Sequence, residues 1–194
     1  MSWIECLLIM AGLLLDVFAA MEIQGSMLSN IKKRSLIIAC VVVVVIEIVF
    51  YFAGYITCML LSIKGYIADP TNVGEIVSVI LFALLGIRLI IKALSREFIQ
   101  ERRKDNIRVW DYIKIIIVSS LYTAATGCAF GLVGVTIWQI VAIIVILSIL
   151  VVLCGLYTGL HFGFEKKTIA YAAGAILLWV AGAEILLHRV LEIL

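Results

Sequence analysis

Two carboxylates, Asp16 and Glu47, lie near the middle of long apolar stretches of the sequence. Ionisable side chains are costly in such surroundings, so they usually mark a binding site, a charge partner or a water-filled path. Carboxylate oxygens suit hard divalent cations such as magnesium, calcium or manganese. Desolvation and like-charge repulsion favour a proton on one of two adjacent carboxylates, so such a pair could exchange a metal ion for protons. We therefore predict Asp16 and Glu47 as metal ligands.

The same two carboxylates could instead be structural, because Arg88 or a hydroxyl could pair with either of them. The sequence favours a functional role for Asp16 and leaves both interpretations open for Glu47. For Glu22 and Glu184 the structural interpretation is favoured, since Glu22 could reach the membrane rim and Glu184 could pair with a basic residue of segment 3. Supplementary residues that could line a transport path are Ser120, Tyr122, Thr123, Glu22 and Glu184.

The composition of the chain predicts that these residues are carried by membrane-spanning segments. Of the 194 residues, 65% are hydrophobic and 14% are charged, whereas about 25% of the residues in a soluble domain are charged. This composition excludes a soluble enzyme, a nucleic-acid-binding protein and a disordered chain. A transmembrane helix needs about 20 mostly apolar residues. Six suitable segments lie at about 3–23, 35–61, 75–94, 112–132, 135–160 and 168–191.

The apolar segments predict an all-α integral membrane protein with six transmembrane helices. Runs such as residues 41–46 lack the alternation of a barrel strand, and in lipid the backbone must bond internally, which favours a helix. The polar residues form no nucleophile–base constellation and the chain has no nucleotide-binding loop, so we expect neither an enzyme nor an ATP-driven pump. No permanently bound cofactor is expected.

The two halves of the chain share short patterns. Gly86–Lys92 in segment 3 parallels Gly182–His188 in segment 6, and residues 15–20 in segment 1 parallel residues 121–126 in segment 4. Three spans per half give the halves opposite orientations, as in many secondary transporters. We predict a first three-helix repeat at 1–95, a charged cytoplasmic linker at 96–111, and a second three-helix repeat, inverted relative to the first, at 112–194.

Charges outside the segments predict the orientation. Arg88 and Lys92 lie within segment 3. Lys64 and Arg189 lie on one side of the membrane, which leaves 11 of the 15 Lys and Arg residues on the other side. Cytoplasmic loops are enriched in Lys and Arg, so both termini are predicted to face outward. The basic linker also contains acidic residues, and we interpret it as a topological signal rather than a nucleic-acid site.

Three glycines at intervals of four residues, Gly155, Gly159 and Gly163, form one face of segment 5. Glycine at this spacing lets helices approach closely, so we predict a helix-packing face. This face could serve packing within the chain or a homodimer. The one proline, Pro70, lies in a loop, so a break within a helix is expected at glycine. The candidates for such a break are Gly25, Gly127 and Gly131.

Three stretches carry a family resemblance. They are Leu14–Ala20, Phe82–Gly86, and a C-terminal set with Gly159, Ala173–Leu178, Gly182 and Ile185–Leu187. These stretches resemble the MntP family of small manganese efflux pumps, within the lysine-exporter-like superfamily. The family's Met-Asp-Ala-Phe-Ala-Val stretch has its acid at the position of Asp16. The resemblance implies six spans, inverted three-helix halves, outward termini and a bacterial plasma membrane location.

The chain departs from the family pattern at two positions that bear on function. The acid of the family's Ala-Thr-Ser-Ile-Asp-Ala motif in segment 4 aligns with Tyr122, and a glutamine in segment 2 aligns with Glu47. One carboxylate is therefore lost and another is gained. Either Glu47 replaces the missing negative charge, or the protein is a divergent paralogue with another cargo.

The sequence and the resemblance together predict a secondary transporter that exports a divalent cation, and manganese is the leading candidate for that cation. Its expected partners are the lipid bilayer and the metal ion, with no nucleic acid. Two alternatives stay open: an exporter of another small solute such as an amino acid, and a non-transporting membrane paralogue that has lost the metal site.

Overall fold

The computed structural model describes residues 3–28, 33–63, 70–94, 109–163 and 167–193. Each of the six apolar segments forms one long helix. The helices are α1 (Trp3–Ser26), α2 (Lys33–Ile63), α3 (Pro70–Leu94), α4 (Val109–Val133), α5 (Ile137–Phe162) and α6 (Lys167–Ile193). All six are long and apolar enough to cross a membrane. The prediction of an all-α protein with six spans is thereby confirmed.

The valine-rich part of α2 shows why a helix forms there. Val41, Val45 and Val49 lie on one exposed face, whereas Val43 and Glu47 lie on the buried face. This spacing of about four residues is that of a helix, and exposed apolar side chains are stable where the surrounding solvent is lipid. The same periodicity directs Glu47 into the protein.

Helix α1 is the most enclosed of the described helices, since 61% of the residues in an apolar 18-residue stretch of it are buried, against 22% in α2. It packs against α5 and α6 and also touches α4. Helix α2 packs against α4 and α5, and α3 packs against α4 and α6. Asp16 therefore lies on a central helix, and α4 stands between the helices that carry the two predicted ligands.

Glycine contacts hold α5 against α1. A Cβ atom on Gly159 would lie 2.0 Å from the backbone oxygen of Glu22, and one on Gly155 would lie 2.9 Å from the backbone oxygen of Phe18. These two glycines serve packing within the chain. Gly163 has another role: it follows the end of α5 with a φ of 68°, and nothing lies within 4 Å of the place where its Cβ would be.

A second glycine contact holds α2 against α4. A Cβ atom on Gly54 would lie 1.8 Å from the backbone oxygen of Ala124, and one on Gly127 would lie 2.4 Å from that of Tyr51. The expectation of a helix break at Gly127 or Gly131 is wrong, because α4 continues through both to Val133. Helix α1 likewise runs past Gly25 and ends at Ser26. These glycines allow neighbouring helices to approach closely and do not break the helices that contain them.

The charged linker predicted at 96–111 falls largely outside the described residues, which resume at Val109. The same is true of several loop cations used to predict the orientation, among them Lys32, Lys64 and Lys166. Lys33 and Arg34 are described, and both are exposed at the start of α2. The boundaries of the three predicted domains stay predictions.

Candidate functional site

One turn of α4 carries the polar side chains around which the site is built. Ser119, Ser120 and Thr123 are all buried. The adjacent Ser119 and Ser120 are rotated by about 100° from each other around the helix axis, while Ser120 and Thr123 are three residues apart and can reach the same neighbour. Consecutive serines can thus face two different neighbouring helices. Here they face α1 and α2.

Asp16 of α1 has both carboxylate oxygens engaged. Ser119 Oγ donates a hydrogen bond of 2.8 Å to Oδ2. Lys92 Nζ, from the last turn of α3, donates to Oδ1 at 2.6 Å and forms an ion pair. Hydrogen bonds to a charged group are shorter and stronger than neutral ones, and a buried charge requires such partners. Asp16 is therefore compensated by a cation of the chain.

Glu47 of α2 is held by hydroxyls. Ser120 Oγ donates a hydrogen bond of 2.8 Å to Oε1, and Thr123 Oγ1 donates to Oε2. The Glu47 side chain is 0% exposed. Ser119 and Ser120 are consecutive residues, so the two carboxylates that they bind lie beside the same turn of α4. The structure thus brings together Asp16, Glu47, Ser120 and Thr123, all of which the sequence analysis singled out.

The donor set consists of two carboxylates and the hydroxyls beside them. Within the described parts of the chain, no group of three or more His, Cys, Asp or Glu side chains converges in a way that could hold a metal ion. A cation at this position would therefore be bound by Asp16 and Glu47 with hydroxyl, carbonyl or water oxygens. Oxygen ligands of this kind suit magnesium, calcium and manganese.

A small cavity of about 10 Å³ opens beside Asp16. Such a volume holds about one water molecule. Two cations face it, Arg88 and Lys92, and its other lining residues are Leu13, Asp16, Leu85, Leu89, Tyr122 and Leu178. The Arg88 guanidinium lies over the Tyr122 ring, 4.3 Å from its centroid. Tyr122 thus neighbours the site as the aromatic partner of Arg88.

The remaining predicted site residues lie apart from this cluster. Glu22 is 0% exposed and lies on α1 where Gly159 approaches its backbone. Glu184 lies on an exposed part of α6. The suggested pairing of Glu184 with a basic residue of segment 3 is not observed, because Lys92 pairs with Asp16 and Arg88 stacks on Tyr122.

Two residues of the cluster were missed as site residues. Lys92 and Ser119 both bind Asp16 in the structure, and neither is among the site residues predicted from the sequence. The available signal was spacing: Arg88 and Lys92 are four residues apart, so both cations project from one face of α3. A pair of cations on one helix face within an apolar segment indicates an acidic partner on a neighbouring helix.

Comparison with known proteins identifies the family. The family model described as "Mntp: Putative manganese efflux pump" matches residues 30–186. A Clostridium perfringens (strain 13 / Type A) protein named "Putative manganese efflux pump MntP" is 25% identical over 213 aligned residues, which cover 97% of this chain and 96% of the relative. Proteins of the same name from C. perfringens strains SM101 and ATCC 13124 match with the same identity and coverage.

No solved structure matches the chain. The family match nevertheless covers most of the sequence, and it agrees with the six apolar helices. At 25% identity the named relatives are distant. The chain therefore belongs to the Mntp family, as a divergent, multi-pass protein of the cell membrane.

Proposed function

We propose that this protein is a secondary transporter that binds a divalent cation at Asp16 and Glu47 and exports it. Manganese is the leading candidate for the substrate. The observation that carries the proposal is the pair of consecutive α4 serines, each of which donates to a different buried carboxylate. They bring two negative charges together within the bundle. Membership of a family described as manganese efflux pumps supports metal-ion export.

The chemistry of the donors fits such a substrate. A serine or threonine hydroxyl has one hydrogen to donate and two acceptor lone pairs. Ser119, Ser120 and Thr123 now donate to the carboxylates, and each could rotate its hydrogen away to offer a lone pair to an entering cation. The groups that stabilise the carboxylates without a metal ion can thus become its ligands.

The charge of the pair also fits. Two carboxylates match the charge of a divalent cation. When the cation departs, Asp16 keeps Lys92 as its counter-charge, whereas Glu47 has only hydroxyl partners, so leaving Glu47 ionised is unfavourable in lipid. Proton exchange at this pair is therefore our proposal for how export is driven. No resident cofactor takes part in this mechanism, because the cation is the substrate.

We also propose that the two halves are inverted repeats with outward termini. The helix contacts support a repeat, because the set of helix pairs in contact is unchanged when α1, α2 and α3 are exchanged with α4, α5 and α6. Three spans per half support the inversion, and the distribution of Lys and Arg supports the outward termini. The contact between α1 and α5 becomes that between α4 and α2, and both use glycine. Gly155 and Gly159 are occupied by contacts within one chain, which favours a transporter that works as a monomer.

Growth rescue tests the proposed function. The protein is expressed in a bacterium that lacks its manganese exporter and is sensitive to manganese. We expect the wild-type chain to restore growth, and Asp16→Asn and Glu47→Gln each to abolish the rescue. The matched control is Glu75→Gln, which removes a carboxylate near the start of α3, at the opposite end of that helix from Lys92, and should rescue fully. Full rescue by the double variant Asp16→Asn/Glu47→Gln would overturn the two-carboxylate mechanism.

A second candidate function has a specific observation behind it. One carboxylate, two cations and leucine side chains meet beside Asp16, which is the chemistry that binds a zwitterion such as an amino acid, and the cavity there would have to widen from the volume of about one water molecule to admit it. The two functions differ in thermal stabilisation, because a ligand that binds only the folded protein raises its stability. Stabilisation by amino acids but not by manganese would favour this candidate. Stabilisation by neither would favour a non-transporting paralogue.

A further inference from the structure

The Asp16 carboxylate is already paired with a cation that belongs to the chain. Lys92 Nζ lies 2.6 Å from Asp16 Oδ1, and the side chains of Lys92 and Asp16 are 27% and 4% exposed. Divalent cations sit about 2.0 to 2.6 Å from a coordinating carboxylate oxygen. The ammonium group therefore occupies the space next to Oδ1 that an entering metal ion would need.

Lys92 has the freedom to move, and an aromatic ring lies near its ammonium group. It lies in the last turn of α3, on a flexible four-carbon side chain, and it is the more exposed member of the ion pair. Its Nζ also lies 5.5 Å from the centroid of the Tyr171 ring of α6. An aromatic face within about 6 Å attracts an ammonium group. The side chain can thus leave Asp16 while its charge stays stabilised.

We propose that Lys92 is a tethered counter-cation that competes with the divalent substrate for Asp16; this inference rests on the proposed function. In the substrate-free site the ammonium neutralises Asp16. An entering divalent cation displaces it toward Tyr171, because two positive centres cannot share one carboxylate without strong repulsion. When the substrate leaves, the ammonium returns to Asp16 and opposes rebinding.

This competition makes Lys92 a specificity-determining residue. A monovalent ion brings no more charge than the ammonium it must displace, and it lacks the advantage of a tether. A divalent cation gains from both Asp16 and Glu47 at once. Lys92 therefore weakens the apparent affinity of the site for every cation, because the form in which Asp16 is free of the ammonium is the minority form.

Direct measurement of manganese binding to the purified, full-length protein tests the inference. If the site is free of the ammonium in about one molecule in ten, the apparent dissociation constant is about tenfold weaker than the intrinsic one. Lys92→Gln keeps a hydrogen-bond donor for Asp16 and removes the charge. We therefore expect Lys92→Gln to bind Mn²⁺ about tenfold or more tightly, and to release it more slowly during export from vesicles.

Four further variants complete the design. Lys92→Arg keeps the charge, so its affinity should stay within about threefold of wild type if charge occupies the site. Lys33→Met removes a positive charge from an exposed position at the start of α2 and should bind as wild type does. The double variant Asp16→Asn/Lys92→Gln should lose the gain, since the competition acts on Asp16. If Lys92→Gln does not elute as a folded species, Lys92→Met takes its place in the binding measurement, because it also removes the charge.

The outcomes separate this inference from the proposed function. Tighter Mn²⁺ binding by Lys92→Gln than by wild type, lost in the double variant, supports the inference. Wild-type binding of Mn²⁺ with equal or weaker binding by folded Lys92→Gln and Lys92→Met overturns the inference and leaves the proposed function standing. Absence of Mn²⁺ binding in the wild type and in every folded Lys92 variant overturns both.

Discussion

The two carboxylates of the site are held in opposite ways. Asp16 has a charged partner, Lys92, and lies beside a small cavity. Glu47 has two hydroxyl partners and is closed off between α2 and α4, where glycine brings the backbones into contact. The counter-charge of Asp16 can therefore be exchanged by moving one side chain. At Glu47 it can change only when a proton or a cation enters the cluster.

The closure around Glu47 depends on the tight contact of α2 with α4, and breaking that contact should have the largest effect. Gly54 lies on the same buried face of α2 as Glu47, and its Cβ position is 1.8 Å from the backbone oxygen of Ala124. Overpacking costs typically about 1 to 3 kcal/mol and more where backbone must move. We expect Gly54→Ala to lose at least about 3 kcal/mol of stability, seen as a lower unfolding temperature in detergent.

The matched control for Gly54 is Gly182 of α6. A Cβ atom there would meet only Phe82 Cβ at 3.7 Å, which is ordinary van der Waals contact. Gly182→Ala should therefore leave the unfolding temperature within a few degrees of wild type. Equal stability of the Gly54 and Gly182 variants would show that the α2–α4 contact is not as close as described.

The hydroxyl partners allow a smaller and more direct comparison. Ser120→Ala leaves buried Glu47 with one donor, and an unsatisfied buried group costs about 1 to 3 kcal/mol. Ser119→Ala leaves Asp16 with its Lys92 ion pair, so the loss should be that of one ordinary hydrogen bond, about 0.5 to 1.5 kcal/mol. Chemical unfolding of the two variants measures both values. A greater loss for Ser119→Ala than for Ser120→Ala would contradict the contrast between the two carboxylates.

Much of the fold could be predicted from the sequence, because the bilayer imposes simple lengths and compositions. Each of the six apolar segments became one helix, with ends shifted by a few residues. The internal carboxylates and the α4 hydroxyls stood out, since polar atoms are rare in such segments and must meet one another. Asp16, Glu47, Ser120 and Thr123 indeed lie together.

The remainder depended on which helices meet, and a single sequence does not contain that information. Lys92 pairs with Asp16 because α1 and α3 both pack against α4 and α6, and the long lysine side chain spans the distance between them. Gly163 fits the spacing of a packing face, yet α5 ends before it. Glycine is a residue type at which helices break, but the close approach of the Tyr51 backbone gives Gly127 a packing role instead.

Manganese-dependent thermal unfolding of the purified protein tests the central claim, that Asp16 and Glu47 together bind the exported cation. A ligand present at one hundred times its dissociation constant stabilises the folded state by about 2.7 kcal/mol. We expect Mn²⁺ to raise the unfolding temperature of the wild-type protein by several degrees, and to leave folded Asp16→Asn and Glu47→Gln unchanged. An equal rise in the wild type and in the double variant Asp16→Asn/Glu47→Gln would contradict the claim.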